Sequence, residues 1–213
     1  MKVVLHAAVI SLWSVSAHAA PIPGLFGTGV DAIGQPLTDN ATEPHYTLIS
    51  GPVTGTPFVK TSTGGHPIPP WLGDSTTSAW IAPTQSTFAA GGTYTYRLVF
   101  DMTGLVPATA FIAGEWSTDA SGADILINGS STGNTAPDGS FQVSFFPFSI
   151  NDGFVSGTNT LDFVVVNGAG PTGLRVNGLS GTADPIPEPS GLMVCVACFL
   201  GLSGTRGRRP RAA

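Results

Sequence analysis

Between Pro21 and Pro185 no segment keeps its apolar residues at the 3.6-residue spacing of a helix, and the strongest pattern has a period of two. In TYTYRLVFDM, Tyr94, Tyr96, Leu98 and Phe100 alternate with Thr93, Thr95, Arg97 and Val99. A strand with one face in a core requires that alternation. Further strands are expected at His45–Ser50, within PFVKT, at Ser78–Ala82, Ala108–Trp116 and Asp124–Asn128, in SFQVSFFPFSI (140–150), in NTLDFVVVN (159–167) and in GLRVNGLSGTA (173–183). Pro147 interrupts its strand and predicts an edge or a bend there, because proline has no N–H to give a central ladder. Leu161, Phe163 and Val165 share one face of their strand, with Val164 and Val166 opposite. Turn chemistry separates the strands, as in GPVTGTP and at Asn128-Gly129. Short strands punctuated this way predict an all-β fold: an antiparallel two-sheet β-sandwich of jelly-roll type.

The two ends of the chain are of another kind. Lys2, the apolar run Val3–Val15 and the small residues closing on Ala17-His18-Ala19 give the order of a secretory signal peptide over residues 1–20, expected as a helix. At the other end Ser190–Thr205 carries no charge. As a helix it spans roughly 24 Å, somewhat short of a hydrocarbon core of roughly 30 Å. Arg206, Arg208, Arg209 and Arg211 follow, and such a cluster stays on the cytoplasmic side. Pro187-Glu188-Pro189 precedes the run and bars an earlier helix start.

The tripartite order over 186–211 resembles the PEP-CTERM sorting signal: Pro187, Glu188 and Pro189, then an apolar transmembrane helix, then Arg206, Arg208, Arg209 and Arg211. The resemblance implies an exosortase-type membrane protease as partner. It also implies membrane contact through the C-terminal helix, and export to the envelope, cell surface or extracellular matrix of a bacterium. Many substrates of that system are linked to extracellular polysaccharide and biofilm. The polar end Gly201-Leu202-Ser203-Gly204 departs from a strongly apolar anchor. An ordinary single-pass tail anchor is the plainer alternative.

A second resemblance covers roughly Gly92 to Gly181. A strand leads to a loop with Trp116 and Asp119, then to the hairpin Asp124-Ile125-Leu126-Ile127-Asn128-Gly129, and later Gly157-Thr158-Asn159-Thr160-Leu161 opens an apolar strand. The pattern is similar to galactose-binding-domain-like jelly rolls, the fold of many carbohydrate-binding modules. It implies a fold and transfers no ligand.

The domain plan is therefore a signal peptide (1–20), a loose lead-in (21–44), a β-sandwich (45–184) and the sorting signal (186–211). Within 21–185, Lys60, Arg97 and Arg175 stand against twelve acidic residues, a net charge of −9. Such a domain repels phosphates, which argues against nucleic acid as a partner. Cys195 and Cys198 both sit in the apolar tail, so the domain holds together without disulfides.

Two catalytic-looking motifs fail on context. Gly129-Ser130-Ser131-Thr132-Gly133 has the G-x-S-x-G spacing, but NTAPDGS follows where a nucleophile elbow needs a helix. Gly168-Ala169-Gly170-Pro171-Thr172-Gly173 fits G-x-G-x-x-G, but Pro171 and a strand-like run follow it. Glu115, Asp119 and Asp124 cluster in sequence; they are candidate ligands for a structural calcium ion, which takes oxygen donors. Trp71, Trp80 and Trp116 fall in loops or at strand ends and are the candidate sugar platforms, with Asp119 beside Trp116 to fix hydroxyls. Each Trp has a plainer reading as a core cap. The functional expectation is a non-enzymatic exported module associating with extracellular polysaccharide. The alternatives are a structural surface or biofilm-matrix protein without a specific ligand, and a carbohydrate-active hydrolase.

Overall fold

The computed structural model describes residues 18–187. Most of the signal peptide, the apolar C-terminal run and the four arginines lie outside the described residues. Among the described residues no helix is long and apolar enough to cross a membrane. Ala19–Pro185 forms one compact unit, and among the described residues the buried core belongs to it, as expected of a body that folds on its own.

The fold is all-β and antiparallel. In chain order the strands are β1 (Ala20–Pro21), β2 (Tyr46–Ser50), β3 (Phe58–Lys60), β4 (Trp80–Ala82), β5 (Phe88–Ala89), β6 (Gly92–Asp101), β7 (Phe111–Asp119), β8 (Ser121–Ile127), β9 (Ser130–Ser131), β10 (Phe146–Ile150), β11 (Thr158–Asn167), β12 (Gly170–Pro171) and β13 (Gly173–Ala183). One sheet runs β10-β7-β13-β4-β3, with β1 also on β13; the other runs β2-β6-β11-β8-β9; β5 and β12 form a separate ribbon.

The pairing follows from the period-two pattern. β6 and β11 pair from Gly92↔Asn167 to Asp101↔Thr158, which sets Tyr94, Tyr96 and Leu98 beside Val165, Phe163 and Leu161 on the inner face. The other sheet turns Ile112, Trp116, Leu174, Val176 and Ile81 inward, and both inner faces belong to one hydrophobic core. Phe163 is the contact point between the sheets, with ring centroids 5.6 Å from Trp116 and 5.8 Å from Phe148. Burying a side chain of that size contributes roughly 1.5–3 kcal/mol. Gly122 lies so close to the Trp116 indole that a Cβ there would overlap it. Asn128-Gly129 makes the tight turn between β8 and β9, both residues with positive φ.

β10 is an edge strand, so the missing N–H of Pro147 costs no central ladder bond. SFQVSFFPFSI is only half strand. Its first part is a single helical turn, α1 (Ser140–Val143). The reason is local: the Ser140 hydroxyl donates to the Thr118 carbonyl and accepts from the Thr118 N–H, both at 3.0 Å, in place of backbone pairing with β7. The segment expected as a loose lead-in is packed. Ile22, Val30 and Thr28 are buried, and Thr28 bonds to Ala79 and Val176 through both backbone and hydroxyl.

The two outer faces differ. The loop after β3 and the α1 turn fold over the outer face of the β4–β13–β7 sheet, where Leu72 N–H meets the Phe141 carbonyl at 2.7 Å. The outer face of the β6–β11 sheet is uncovered, with Val99 52% and Val166 38% exposed.

Candidate functional site

Trp71, Trp80 and Trp116 follow their plainer reading as core caps, and the acidic residues singled out from sequence hold internal donors. Trp116 is fully buried on the inner face of β7. Trp80, on the outer face of β4, is buried against Trp71, ring centroids 4.6 Å apart. Trp71 is 2% exposed. Its indole N–H donates to Asp119 Oδ2 at 2.7 Å, and that of Trp80 donates to the Leu72 carbonyl at 2.9 Å. None of the three offers a face to a sugar, which corrects the platform reading. The loop carrying Trp71 folds back onto the sheet because its indole gains more by packing with Trp80 and Ile68 than by facing water.

The acidic trio is also dispersed. Asp119 holds Trp71, and burial pushes its carboxyl up to about 6. Glu115 accepts from Asn177 Nδ2 at 2.7 Å on the β7–β13 sheet. Asp124, on the other sheet, accepts from the N–H groups of Ile125 and Gly133 at 2.8 and 3.1 Å. The calcium reading of Glu115, Asp119 and Asp124 is therefore corrected: among the described residues no group of three or more His, Cys, Asp or Glu is placed to hold a metal. Neither glycine motif leads into a helix: Gly129–Gly133 lies on the β8–β9 hairpin, and Gly168–Gly173 runs through the β5–β12 ribbon.

A concave site lies elsewhere, between the lead-in and the loop joining β3 to β4. Pro36, Thr38, Asp39, Thr61, Thr63, Asp74, Ser75, Ser78 and Ala79 line a cleft of 280 Å³. Its carboxylates are held in place by the backbone that leaves β3. Thr61 N–H donates to Asp39 Oδ1 at 2.9 Å. Ser62 N–H donates to Asp74 Oδ1 at 3.1 Å, and the Ser62 hydroxyl to Asp74 Oδ2 at 2.5 Å. Asn40 Nδ2 donates to Asp39 Oδ2 at 2.8 Å, and His66 Nε2 lies 3.1 Å from Asp39 Oδ1. Thr61 and Thr63 share a hydroxyl hydrogen bond at 2.8 Å. Pro36 and Ala79 supply apolar wall. Fixed acceptors and hydroxyls set in a largely apolar lining suit a polyhydroxylated ligand, whose alternating C–H and O–H groups need both. A second hollow of 310 Å³, lined by Pro23, Gly24, Val99, Phe100, Asp101 and Thr158, has a single carboxylate. That one, Asp101, is already held by the Thr103 hydroxyl and N–H.

No family model matches the chain, and no curated protein does. Among solved structures it is similar to a family 35 carbohydrate binding module from an environmental isolate. The two share 16% identity over 67% of this chain and 98% of that one, with a TM-score of 0.32. A likeness that low carries no argument about fold or function.

Asp39 and Asp74 carried a faint signal in sequence. Both sit in stretches rich in Ser, Thr and Asn, LTDNATE and GDSTTS, where short polar side chains hold turns. Such stretches read as solvated loops; only the return of the chain beside β3 makes them two walls of one cleft.

Proposed function

We propose that this chain is an exported, non-catalytic β-sandwich of the galactose-binding-like jelly-roll type that associates with extracellular polysaccharide through the Asp39–Asp74 cleft. An exosortase-type protease, reading Pro187-Glu188-Pro189 and the arginines after the apolar run, sorts it to the cell surface or extracellular matrix. The observation that carries the binding reading is the cleft: two carboxylates pinned by successive backbone N–H groups beside hydroxyls and an apolar wall. Pinned acceptors lose little freedom on binding. The hydrolase alternative finds less support, since Glu115, Asp119 and Asp124 each hold an internal donor rather than flank a shared opening.

The test is to titrate Ala19–Pro185 against a panel of bacterial and plant polysaccharides, alongside Asp39→Ala/Asp74→Ala. Saturable binding lost in the variant supports the reading; binding retained in the variant removes the cleft from it. No binding from a folded domain favours the structural matrix reading, for which the uncovered β6–β11 face is the relevant surface. The address is tested separately. Replacing Arg206, Arg208, Arg209 and Arg211 by Ala is expected to abolish surface delivery in an exosortase-bearing host, measured by surface labelling. Unchanged delivery would refute the sorting role.

A further inference from the structure

Among the described residues there are three Lys and Arg side chains, and all three are committed internally. Lys60 is fully buried, its Nζ donating to Asn40 Oδ1 and to the Gln85 carbonyl. Arg97 makes two 2.7 Å bonds to Asp162 across β6 and β11. Arg175 is 1% exposed and donates to the carbonyls of Leu72, Gly73 and Ser78 and to the Ser78 hydroxyl. Of the described acidic residues, Asp162 is the one paired with Lys or Arg. The domain thus cancels its positive charge internally and leaves carboxylates to face solvent.

The cleft brings two of those carboxylates together. Asp39 and Asp74 are bonded to the N–H groups of the adjacent residues Thr61 and Ser62, so their carboxylates lie within roughly 10 Å of each other. His66, on Asp39, is the other titratable side chain bonded at the cleft. No Lys or Arg lines it, although the buried charges of Lys60 and Arg175 act on Asp39 and Asp74 and offset part of their field.

We infer that the cleft selects glycans bearing a primary ammonium, that is amino sugars, over their N-acetylated counterparts and against uronate or sulfated polymers. The inference rests on the polysaccharide reading of the same cleft. An ammonium offers three donors and no acceptor, and a carboxylate only accepts, so the two are complementary. Asp74 is the more available acceptor, because Ser62 is its sole bonded donor, whereas Asp39 is held by three residues. N-acetylation removes the positive charge, and a uronate reverses it.

The experiment is calorimetric titration of Ala19–Pro185 at low salt with a β-1,4-linked glucosamine tetramer, its fully N-acetylated form and a tetragalacturonate. The glucosamine tetramer is expected to bind at least about tenfold tighter than the acetylated one, and more weakly as salt is raised. The tetragalacturonate is expected not to bind. Asp74→Asn should abolish the preference, whereas Asp138→Asn, the same charge change on an exposed loop, should preserve it. Thr63→Trp fills the cleft without altering charge and decides the matter if Asp74→Asn folds poorly by circular dichroism. Equal affinity for both tetramers, lost in Thr63→Trp, overturns the amino-sugar inference while polysaccharide binding stands. Equal weakening by Asp138→Asn means attraction to the whole acidic surface and overturns it too. Failure of every glycan overturns both.

Discussion

The hydroxyl of Tyr96 and the indole N–H of Trp116 lie between the sheets with no hydrogen-bond partner among the described residues. Burial raises the Tyr96 pKa, so the hydroxyl stays neutral, but an unmet hydroxyl still loses its hydration. Tyr96→Phe removes the polar atom and keeps the shape. It should leave stability unchanged or raise it by up to about 1 kcal/mol in urea unfolding; a loss of that size would show a partner for the hydroxyl. Glu43 is the opposite case. It is 2% exposed, with Gly29 N–H on one oxygen at 2.6 Å and His45 N–H on the other at 2.9 Å. Burial outweighs these bonds and pushes its carboxyl from 4.5 up to about 7. The folded state then holds the proton more tightly than the unfolded chain. Its contribution to stability is whole below about pH 4.5 and is lost as pH rises through about 7. The stability difference between wild type and Glu43→Gln should shift by up to roughly 3 kcal/mol across that window, measured by urea unfolding at several pH values. A difference that does not change with pH would place the carboxyl in the ordinary range. At this scale the sequence was least legible. Trp71 stands beside Pro70, as a loop residue does, while Trp80 and Trp116 lie on strands expected from the sequence, and only the long-range return of the chain decides that all three are buried.

Arg175 shows what one side chain does for an element. From β13 it reaches the carbonyls of Leu72, Gly73 and Ser78 and so fastens the loop that carries Trp71; burial lowers its pKa to about 10. Arg175→Met should fill much of the volume yet leave those carbonyls unmet. We expect a loss of about 2–4 kcal/mol, with loop amides exchanging faster and tryptophan emission shifting to the red. Emission unchanged from wild type would mean that Trp71 and Trp80 hold the loop without the arginine. The long strands were readable because each buries one face: β6, β11 and β13 were expected almost to the residue. α1 was not, because a single buried hydroxyl, Ser140, decides it. Nor was the packing of the lead-in, which is built from turns and side-chain bonds that leave no periodic trace.

For the whole molecule, charge is the dominant legible quantity. A net charge of −9 over residues 21–185 opposes contact between copies by repulsion, and protonating the carboxylates removes that repulsion. Ala19–Pro185 should therefore be least soluble near about pH 4 by light scattering; a minimum at neutral pH would point to contact through the uncovered valine-bearing face. The sheet partners, by contrast, could not be read from sequence, because alternation says which face is buried and not which strand lies alongside. One of those pairings bears on mechanics. β13 is the last strand before the tail, lies inside its sheet between β7 and β4, and at its C-terminal end also holds β1 through Ala20↔Ala183. In a domain tethered through residues beyond Pro185, drag from flowing water would pull lengthwise on β13. Its bonds to β7 would then share the tension together instead of opening one after another. The tether would meet a shear-loaded strand, and detachment would be governed by how slowly that strand slides free.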